Sequence, residues 1–258
     1  MYEYLKGKYP YMINNIDSAF YIFCEPDSPL YERIGITPHV ISMALVIGSE
    51  RAALIDTGCG HGELNELVRQ HTSLPVTLLI THGDYDHCGG YAMFEDRYMS
   101  RLDEEIVDDK FTYKDLTDGQ TFDLGGITLE AIHVAGHTKG SFCFYDRKNN
   151  RLFTGDAVNR LPWLLLDRCN PLHEYRDNLI ALRDRLIGEP DIYCGHSYTA
   201  FPYCTLTDCI TACNEVLAGV RENEYEYFMP FEPGCPILPD AFEHKVNEVR
   251  LIYNRNNL

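Results

Sequence analysis

The sequence predicts an α+β fold in which two mostly antiparallel or mixed sheets pack face to face, with helices on the outside. Three observations support this prediction. The first strands are adjacent apolar runs joined by short turns, as in antiparallel hairpins. Helical periodicities are inserted between the later strands, an order that two packed sheets with outer helices satisfy. With 258 residues, 45% of them apolar, the chain can bury a substantial core, and we expect one domain over residues 1–258.

The individual elements follow from apolar runs, helical spacing and turn residues. Strands are predicted, in chain order, at 40–47, 51–56, 75–81, 120–123 and 127–134, in the hairpin 141–158, and at 191–197 and 244–254. Helices are predicted at 61–71, near 101–109, at 174–187 and at about 205–222. In the last helix the expected buried stripe is Leu206, Cys209, Cys213, Val216, Leu217 and Val220.

Composition and charge narrow the class of protein. The formal net charge of −17 repels phosphate backbones and anionic membranes, so we expect a small-molecule substrate and no nucleic-acid partner. The chain has neither a signal-peptide core nor an apolar run of about 18 residues, so a cytoplasmic protein without a membrane span is expected. None of the ten cysteines forms a C-x-x-C pair, and we expect most of them to be reduced core residues. A homodimer is left open.

Polar residues that can bind metal follow four of the predicted strands. The stretch THGDYDH (81–87) contains His82, Asp84, Asp86 and His87, and later strands end in AGHTKG, FTGDA and YCGHS, which contain His137, Asp156 and His196. Side chains at strand ends on one edge of a sheet can converge on one point. Such a mixed nitrogen and oxygen set suits zinc, iron or manganese rather than calcium or a structural zinc bound by thiolates.

Other residues with the same chemistry receive a plainer interpretation. His39, His61, His71, His133, His173 and His244 are expected to be ordinary surface or core histidines, because a single histidine after a strand usually is. Asp56, in LIDTGCG, is expected to organise its turn and support the ligands rather than bind metal.

These motifs together resemble the metallo-β-lactamase superfamily. The resemblance runs through LIDTG (54–58), THGDYDH (81–87), GHTKGS (136–141), FTGDA (153–157) and GHS (195–197). It implies a four-layer αβ/βα sandwich with a dinuclear metal site at one edge. It also implies that His82, Asp84 and His137 bind the first ion, that Asp86, His87 and His196 bind the second, and that Asp156 bridges them.

One position departs from the common H-x-H-x-D-H pattern of the superfamily, because Asp84 stands where the second histidine is usual. A carboxylate is a competent ligand, so we expect an altered site rather than a lost one. As a third carboxylate, Asp84 would lower the net charge of the occupied centre by one unit and make it neutral, which weakens its attraction for anionic substrates. Its harder oxygen makes manganese or iron more plausible beside zinc.

The expected activity is hydrolysis of an ester, thioester, lactone or amide of a small molecule by a hydroxide held between two divalent ions, most simply zinc. Chain length and the FTGD-to-helix connection resemble the glyoxalase II and acyl-homoserine lactonase branches. Asp86 would orient the hydroxide or accept its proton, while Asn159 and Tyr198 would donate to the reacting oxygen. Residues 159–176, with the single Trp163, would form a substrate wall or simply pack in the core.

Three alternatives come from other classes. A phosphodiesterase or nuclease of the same superfamily would use the same metals but would need a basic groove. A di-iron redox protein would carry a flavin-binding domain, for which we expect no room after residue 196. A non-catalytic metal-binding module would be expected to lose ligands, whereas only Asp84 is altered here.

Overall fold

The computed structural model describes residues 3–4, 11–26, 40–108, 110–227 and 240–258. Its strands are β1 (Glu3–Tyr4), β2 (Met12–Asp17), β3 (Phe20–Pro26), β4 (Val40–Ile47), β5 (Ala52–Ile55), β6 (Val76–Leu79), β7 (Arg97–Met99), β8 (Lys114–Asp115), β9 (Thr121–Asp123), β10 (Thr128–His133), β11 (Phe142–Asp146), β12 (Arg151–Gly155), β13 (Trp163–Leu164), β14 (Asp191–Cys194), β15 (Glu224–Glu226), β16 (Ala241–Val246) and β17 (Val249–Asn254). Its α-helices are α1 (Leu64–His71), α2 (Tyr85–Cys88), α3 (Leu172–Arg185) and α4 (Cys204–Leu217), and 3₁₀-helices span Tyr91–Met93 and Arg101–Ile106.

The strands form three sheets. The first joins β1 to β8 in chain order; it is antiparallel from β1 to β5 and parallel from β5 to β8. The second has the order β14-β12-β11-β10-β9, with a parallel pair between β12 and β14. The third, smaller sheet has the order β13-β17-β16-β15. The mixed sheets agree with the predicted α+β class.

Alternation along the strands produces the layers of the sandwich. In β11, Phe142 and Phe144 join the cluster that β3 and β4 supply from the first sheet, while Cys143 and Tyr145 join the cluster that contains α3 and α4. On the other face of the first sheet, Phe23 and Leu45 pack with α1. The order is therefore helix, sheet, sheet, helices, as predicted.

Several elements differ from the sequence prediction. The N-terminal strands β2 and β3 were not predicted, and the helix near 101–109 is a shorter 3₁₀-helix. Helix α4 ends at Leu217, because Gly219 adopts a left-handed backbone with φ +79°. Val220 therefore lies beyond the helix and is exposed, not part of the buried stripe. The tail forms a hairpin rather than one strand, since Asn247 turns the chain at φ 51°.

The remaining sequence expectations concern cysteines, histidines and membrane spans. The cysteines that the structure describes are free thiols, and most of them are buried. His244 is buried against Glu215, with Nε2 2.7 Å from a carboxylate oxygen, while His39 lies outside the described residues. None of the helices in the described segments has the length and apolar character needed to cross a bilayer.

Candidate metal centre

The candidate ligands stand just after strands whose carboxyl ends share one edge of the sandwich. His82 follows β6, Asp156 follows β12 directly, and His196 follows β14. The parallel pairing of β12 with β14 brings Asp156 and His196 to the same edge. The side chains that follow these three strands thus lie at one edge, as the sequence predicts.

We call His82, Asp84 and His137 the first half of the centre, and Asp86, His87 and His196 the second half. In the first half, Asp84 Oδ2 lies 3.0 Å from His137 Nε2 and 3.7 Å from His82 Nε2. In the second half, Asp86 Oδ2 lies 3.8 Å from His87 Nε2 and 3.7 Å from His196 Nε2. All six side chains direct a ligand atom towards a neighbour of the same half.

Asp156 lies between the two halves. Its Oδ2 is 3.2 Å from His196 Nε2 and 3.7 Å from His87 Nε2 in the second half. The same oxygen is 3.8 Å from His137 Nε2 in the first half. This is the position that a bridging carboxylate requires.

The four imidazoles are fixed through Nδ1, so that Nε2 faces the centre. His137 Nδ1 donates to the Trp163 carbonyl at 2.8 Å, and His196 Nδ1 donates to the Val40 carbonyl at 3.0 Å. His87 Nδ1 donates to Asp56 Oδ2 at 2.8 Å. Hydrogen bonds of this kind set the tautomer of metal-binding histidines.

Asp56 is hydrogen-bonded to residues that connect it with both halves, and its supporting role stays a prediction. Its carboxylate accepts from the Thr81 backbone N–H and from Thr81 Oγ1, each at 2.7 Å. Thr81 Oγ1 in turn lies 3.0 Å from His82 Nδ1. A chain of hydrogen bonds therefore runs from His82 through Thr81 to Asp56 and on to His87.

Three buried atoms of the centre fit a metal better than they fit the protein around them. His82 Nε2, His87 Nε2 and Asp156 Oδ1 have no hydrogen-bond partner among the described residues. His82 and His87 are only 1% and 0% exposed, so bulk solvent does not reach these nitrogens, and buried polar atoms ordinarily have a partner. The ligand atoms of His82, His137 and Asp156, and those of Asp86, His87 and His196, lie within 4.8 Å of one another. The residues therefore fit divalent ions.

The metal-free centre separates the pKa values of neighbouring histidines. Burial, with the charges of His87 and His137, holds the pKa of His82 well below its usual value. Burial also lowers the pKa of His87, but the carboxylates of Asp86, Asp156 and Asp56 outweigh it and raise the pKa to about 10. The two rings are 4.0 Å apart between centroids. A proton on His87 therefore disfavours a second proton on His82.

Two of the glycines that mark the strand ends are required by close approach. A Cβ at Gly195 would lie 2.3 Å from His87 Cε1, and a Cβ at Gly155 would lie 2.3 Å from Thr81 Oγ1. Gly155 also has a positive φ of 50°. These glycines let ligands from the two sheets meet.

Two residues that contact the first half or the loops carrying it were missed by sequence reasoning. Arg168 Nη2 lies 2.7 Å from Asp84 Oδ1, and it also donates to Oδ2 at 2.7 Å. Asp103 is buried and accepts from Gly83 N, Thr138 Oγ1 and Gly140 N. The charge count made from the sequence is corrected by this finding, because it omitted the Arg168 guanidinium beside Asp84. Neither residue stands next to a strand-end motif that would have revealed it.

The predicted substrate residues, Asn159 and Tyr198, stand within three residues of Asp156 and His196 in the sequence and make contacts of their own. Asn159 is buried, and its Oδ1 accepts from Leu161 N within its own turn. The Tyr198 carbonyl accepts from Asn14 Nδ2, and its side chain packs against the inter-sheet core. Leu164 and Leu165 are core residues, which favours the packing interpretation for that part of segment 159–176. The roles of Asn159 and Tyr198 stay predictions.

The fold is that of known metallo-β-lactamases. A metallo-beta-lactamase from Pontibacter korlensis superposes with a TM-score of 0.67 at 21% identity, over 79% of this chain and 99% of that one. The sequence profile of the metallo-beta-lactamase superfamily matches residues 36–101 and 91–196, which is more than half of the chain. The chain belongs to the metallo-β-lactamase superfamily, and it is a hydrolase of that fold.

Two relatives with named activities also match this chain by sequence. The acyl-coenzyme A thioesterase MBLAC2 of Bos taurus is 26% identical over 207 residues, which are 62% of this chain and 74% of that protein. The hydroxyacylglutathione hydrolase of Idiomarina loihiensis is 28% identical over 156 residues, 58% of each chain. The chain thus spans little more than half the length of the second relative.

Proposed function

We propose that this protein is a metal-dependent hydrolase of small-molecule thioesters. The observation that carries the proposal is the convergence of seven candidate ligand side chains, three of which have a buried nitrogen or oxygen atom without a hydrogen-bond partner among the described residues. The names of the two relatives, an acyl-coenzyme A thioesterase and a hydroxyacylglutathione hydrolase, favour a thioester among the esters, lactones and amides that such a centre could cleave.

In this proposal the residues of each half would hold one divalent ion, most simply zinc, and Asp156 would be shared between the halves. Ions held there would activate a water molecule near neutral pH and polarise the acyl carbonyl. Asp86 is the most open of the carboxylates, with its side chain 33% exposed, and so can orient the attacking water and accept its proton. Asn159 Nδ2 and the Tyr198 hydroxyl are proposed as donors to the carbonyl oxygen.

The environment of the histidines favours a leaving group that needs no proton. All four imidazoles of the centre use Nδ1 on a protein oxygen and present Nε2 to the centre. Once Nε2 binds an ion, none of these four rings can protonate a departing amine, and a proton would have to come from Asp86 after it has accepted the proton of the attacking water. A thiol has a pKa of about 8.5 and can leave as the thiolate, which supports a thioester over an amide.

A substrate panel tests the proposal. We expect zinc-reconstituted protein to cleave acyl thioesters with a kcat/KM at least about tenfold above that for the matched oxygen ester and amide. Bis-p-nitrophenyl phosphate serves as the probe for the phosphodiesterase alternative. Cleavage of the phosphodiester but not of the thioesters would overturn the proposal, and so would a zinc-loaded protein without any hydrolytic activity.

A further inference from the structure

The Arg168 guanidinium shares the carboxylate that distinguishes this centre. Arg168 lies in the loop between β13 and α3, and its Nη2 is 2.7 Å from both oxygens of Asp84. The same Oδ2 faces His137 Nε2 at 3.0 Å and His82 Nε2 at 3.7 Å. Asp84 therefore has a cationic partner on one side and the ligand histidines on the other.

The charges of this pair cancel. Asp84 brings one negative charge that a histidine in its place would not bring, and a guanidinium stays protonated at any accessible pH. Asp84 is 15% exposed and Arg168 is 36% exposed, so water screens the pair only in part. In net charge the first half then equals one that carries a neutral imidazole at position 84.

We propose that Arg168 is a charge-compensating positioning residue of the first half. The Asp84–Arg168 pair takes the place of one neutral ligand: Asp84 supplies the oxygen, and Arg168 removes the excess charge. This inference rests on the proposed function only in that divalent ions occupy the centre. The net charge of the first half is then set in part by a loop residue outside the ligand motif.

The test measures the overall affinity for two Zn²⁺ ions by competition with a chromophoric chelator, without substrate. Arg168→Met removes the compensating cation, so the affinity should rise about tenfold, the scale of one partly screened charge a few ångströms away. Asp84→His removes the anion and leaves the guanidinium facing the ions, so the affinity should fall. The double variant should return to within about threefold of the wild type, because the two changes cancel.

Opposite signs for the two single variants distinguish compensation from a simple structural role. If Arg168 only held the loop in place, Arg168→Met would lower the affinity, and that result would overturn the inference. Arg168→Lys, which keeps the charge, should stay near wild type. The visible absorption of Co²⁺-loaded variants checks that the ligand geometry is retained.

Arg160→Met is the matched control. Arg160 is 42% exposed and lies 3.8 Å from Glu248, which is not a ligand of the centre. Its removal should leave the zinc affinity within about twofold of wild type, and a rise equal to that of Arg168→Met would contradict a specific pairing. If the wild-type chain binds no zinc, the proposed function itself fails. If it binds zinc and cleaves thioesters while Arg168→Met does not tighten binding, only this inference fails.

Discussion

The two halves of the centre are supported in different ways. In the second half, His87 is held by Asp56 and His196 by the Val40 carbonyl, so its support comes from the turn after β5 and from the start of β4. In the first half, Asp84 and His137 are held by Arg168 and by the Trp163 carbonyl, both in the segment between β12 and α3. The second half is thus supported at strand ends of the first sheet, while two of the three residues of the first half are held from the segment between β12 and α3, which contains the short strand β13.

The electrostatic states of the metal-free halves also differ. Burial alone would lower the pKa of each histidine, and in His82 it prevails. In both histidines of the second half, nearby carboxylates prevail and raise the pKa. In the first half, carboxylates likewise raise the pKa of His137. The second half therefore has two histidines with a raised pKa and the first half has one, so the second half has more protons to lose when metal binds.

The largest effect is expected at Asp156, which belongs to neither half and contacts both. Because Asp156 Oδ2 contacts histidines of both halves, Asp156→Ala should release ions from both and lower kcat/KM by at least about a thousandfold. Elemental analysis and thioester kinetics measure this, and circular dichroism checks that the sandwich remains folded. Asp177→Ala, at an exposed carboxylate paired with Arg176, is the control and should change neither. Full activity without Asp156 would remove it from the mechanism.

The next effect is the pH dependence of metal binding. His87, with its pKa raised to about 10, and His137 and His196, with pKa values raised above the usual one, must lose protons before Nε2 can bind an ion. The metal-free protein binds more protons, so zinc affinity should rise with pH, by about tenfold per unit for each proton released.

Calorimetric titration with Zn²⁺ at pH 7, in two buffers of different ionisation enthalpy, counts these protons. More than one proton should be released per chain, and His82, whose pKa is lowered, should contribute none. Zinc binding without proton release would contradict the assignment of charged imidazoles to His87, His137 and His196.

Asp56 provides a smaller and more selective disturbance. Asp56→Asn keeps the shape of the side chain but weakens the acceptor for His87 Nδ1 and for Thr81. The loss of such a partner typically costs about 10–100-fold in metal affinity. We expect the larger share in the second half, because His87 contacts Asp56 directly while His82 does so through Thr81. Equal losses in His137→Ala and His196→Ala backgrounds, which disable one half each, would contradict this asymmetry.

The same asymmetry explains what the sequence could predict. His82, Asp156 and His196 follow apolar strands, and His87 lies in the short helix α2 that comes soon after His82. The topology of a sheet brings such strand ends together, so residue type and the glycines beside the strand ends were sufficient. The order of the layers could be predicted from the apolar runs, the helical spacing and the chain order of the elements, all of which are local features of the sequence.

Arg168 and Asp103 could not be found in this way. Arg168 is more than eighty residues from its partner in the chain, and Asp103 lies in a 3₁₀-helix whose acidic run reads as an exposed surface. Their contacts depend on how two connections fold over the edge of the sandwich. The hairpin of the tail was missed because a single Asn-Glu turn interrupts an otherwise continuous strand pattern.

The smallest effect is expected from Asp103. Among the described residues, its carboxylate accepts hydrogen bonds from the loops that carry His82 and His137, so its substitution tests whether the two halves of the centre are supported separately. Its Oδ2 accepts from Gly83 N at 2.9 Å, beside His82, and its Oδ1 accepts from Gly140 N at 2.8 Å, in the loop of His137. In Asp103→Asn an amide N–H would face one of these N–H donors, and a buried unsatisfied donor costs about 1–3 kcal/mol of stability. Urea unfolding of the metal-free protein should show this loss.

Zinc affinity of Asp103→Asn should fall only about threefold, and only in the His196→Ala background, where the first half remains. Asp146→Asn, which likewise alters a buried carboxylate that accepts from a backbone N–H, that of Asn149, is the matched control outside the centre and should leave zinc binding unchanged. An equal loss in the His137→Ala background would mean that Asp103 supports the whole edge of the sandwich, and the separation of the two halves would then have to be abandoned.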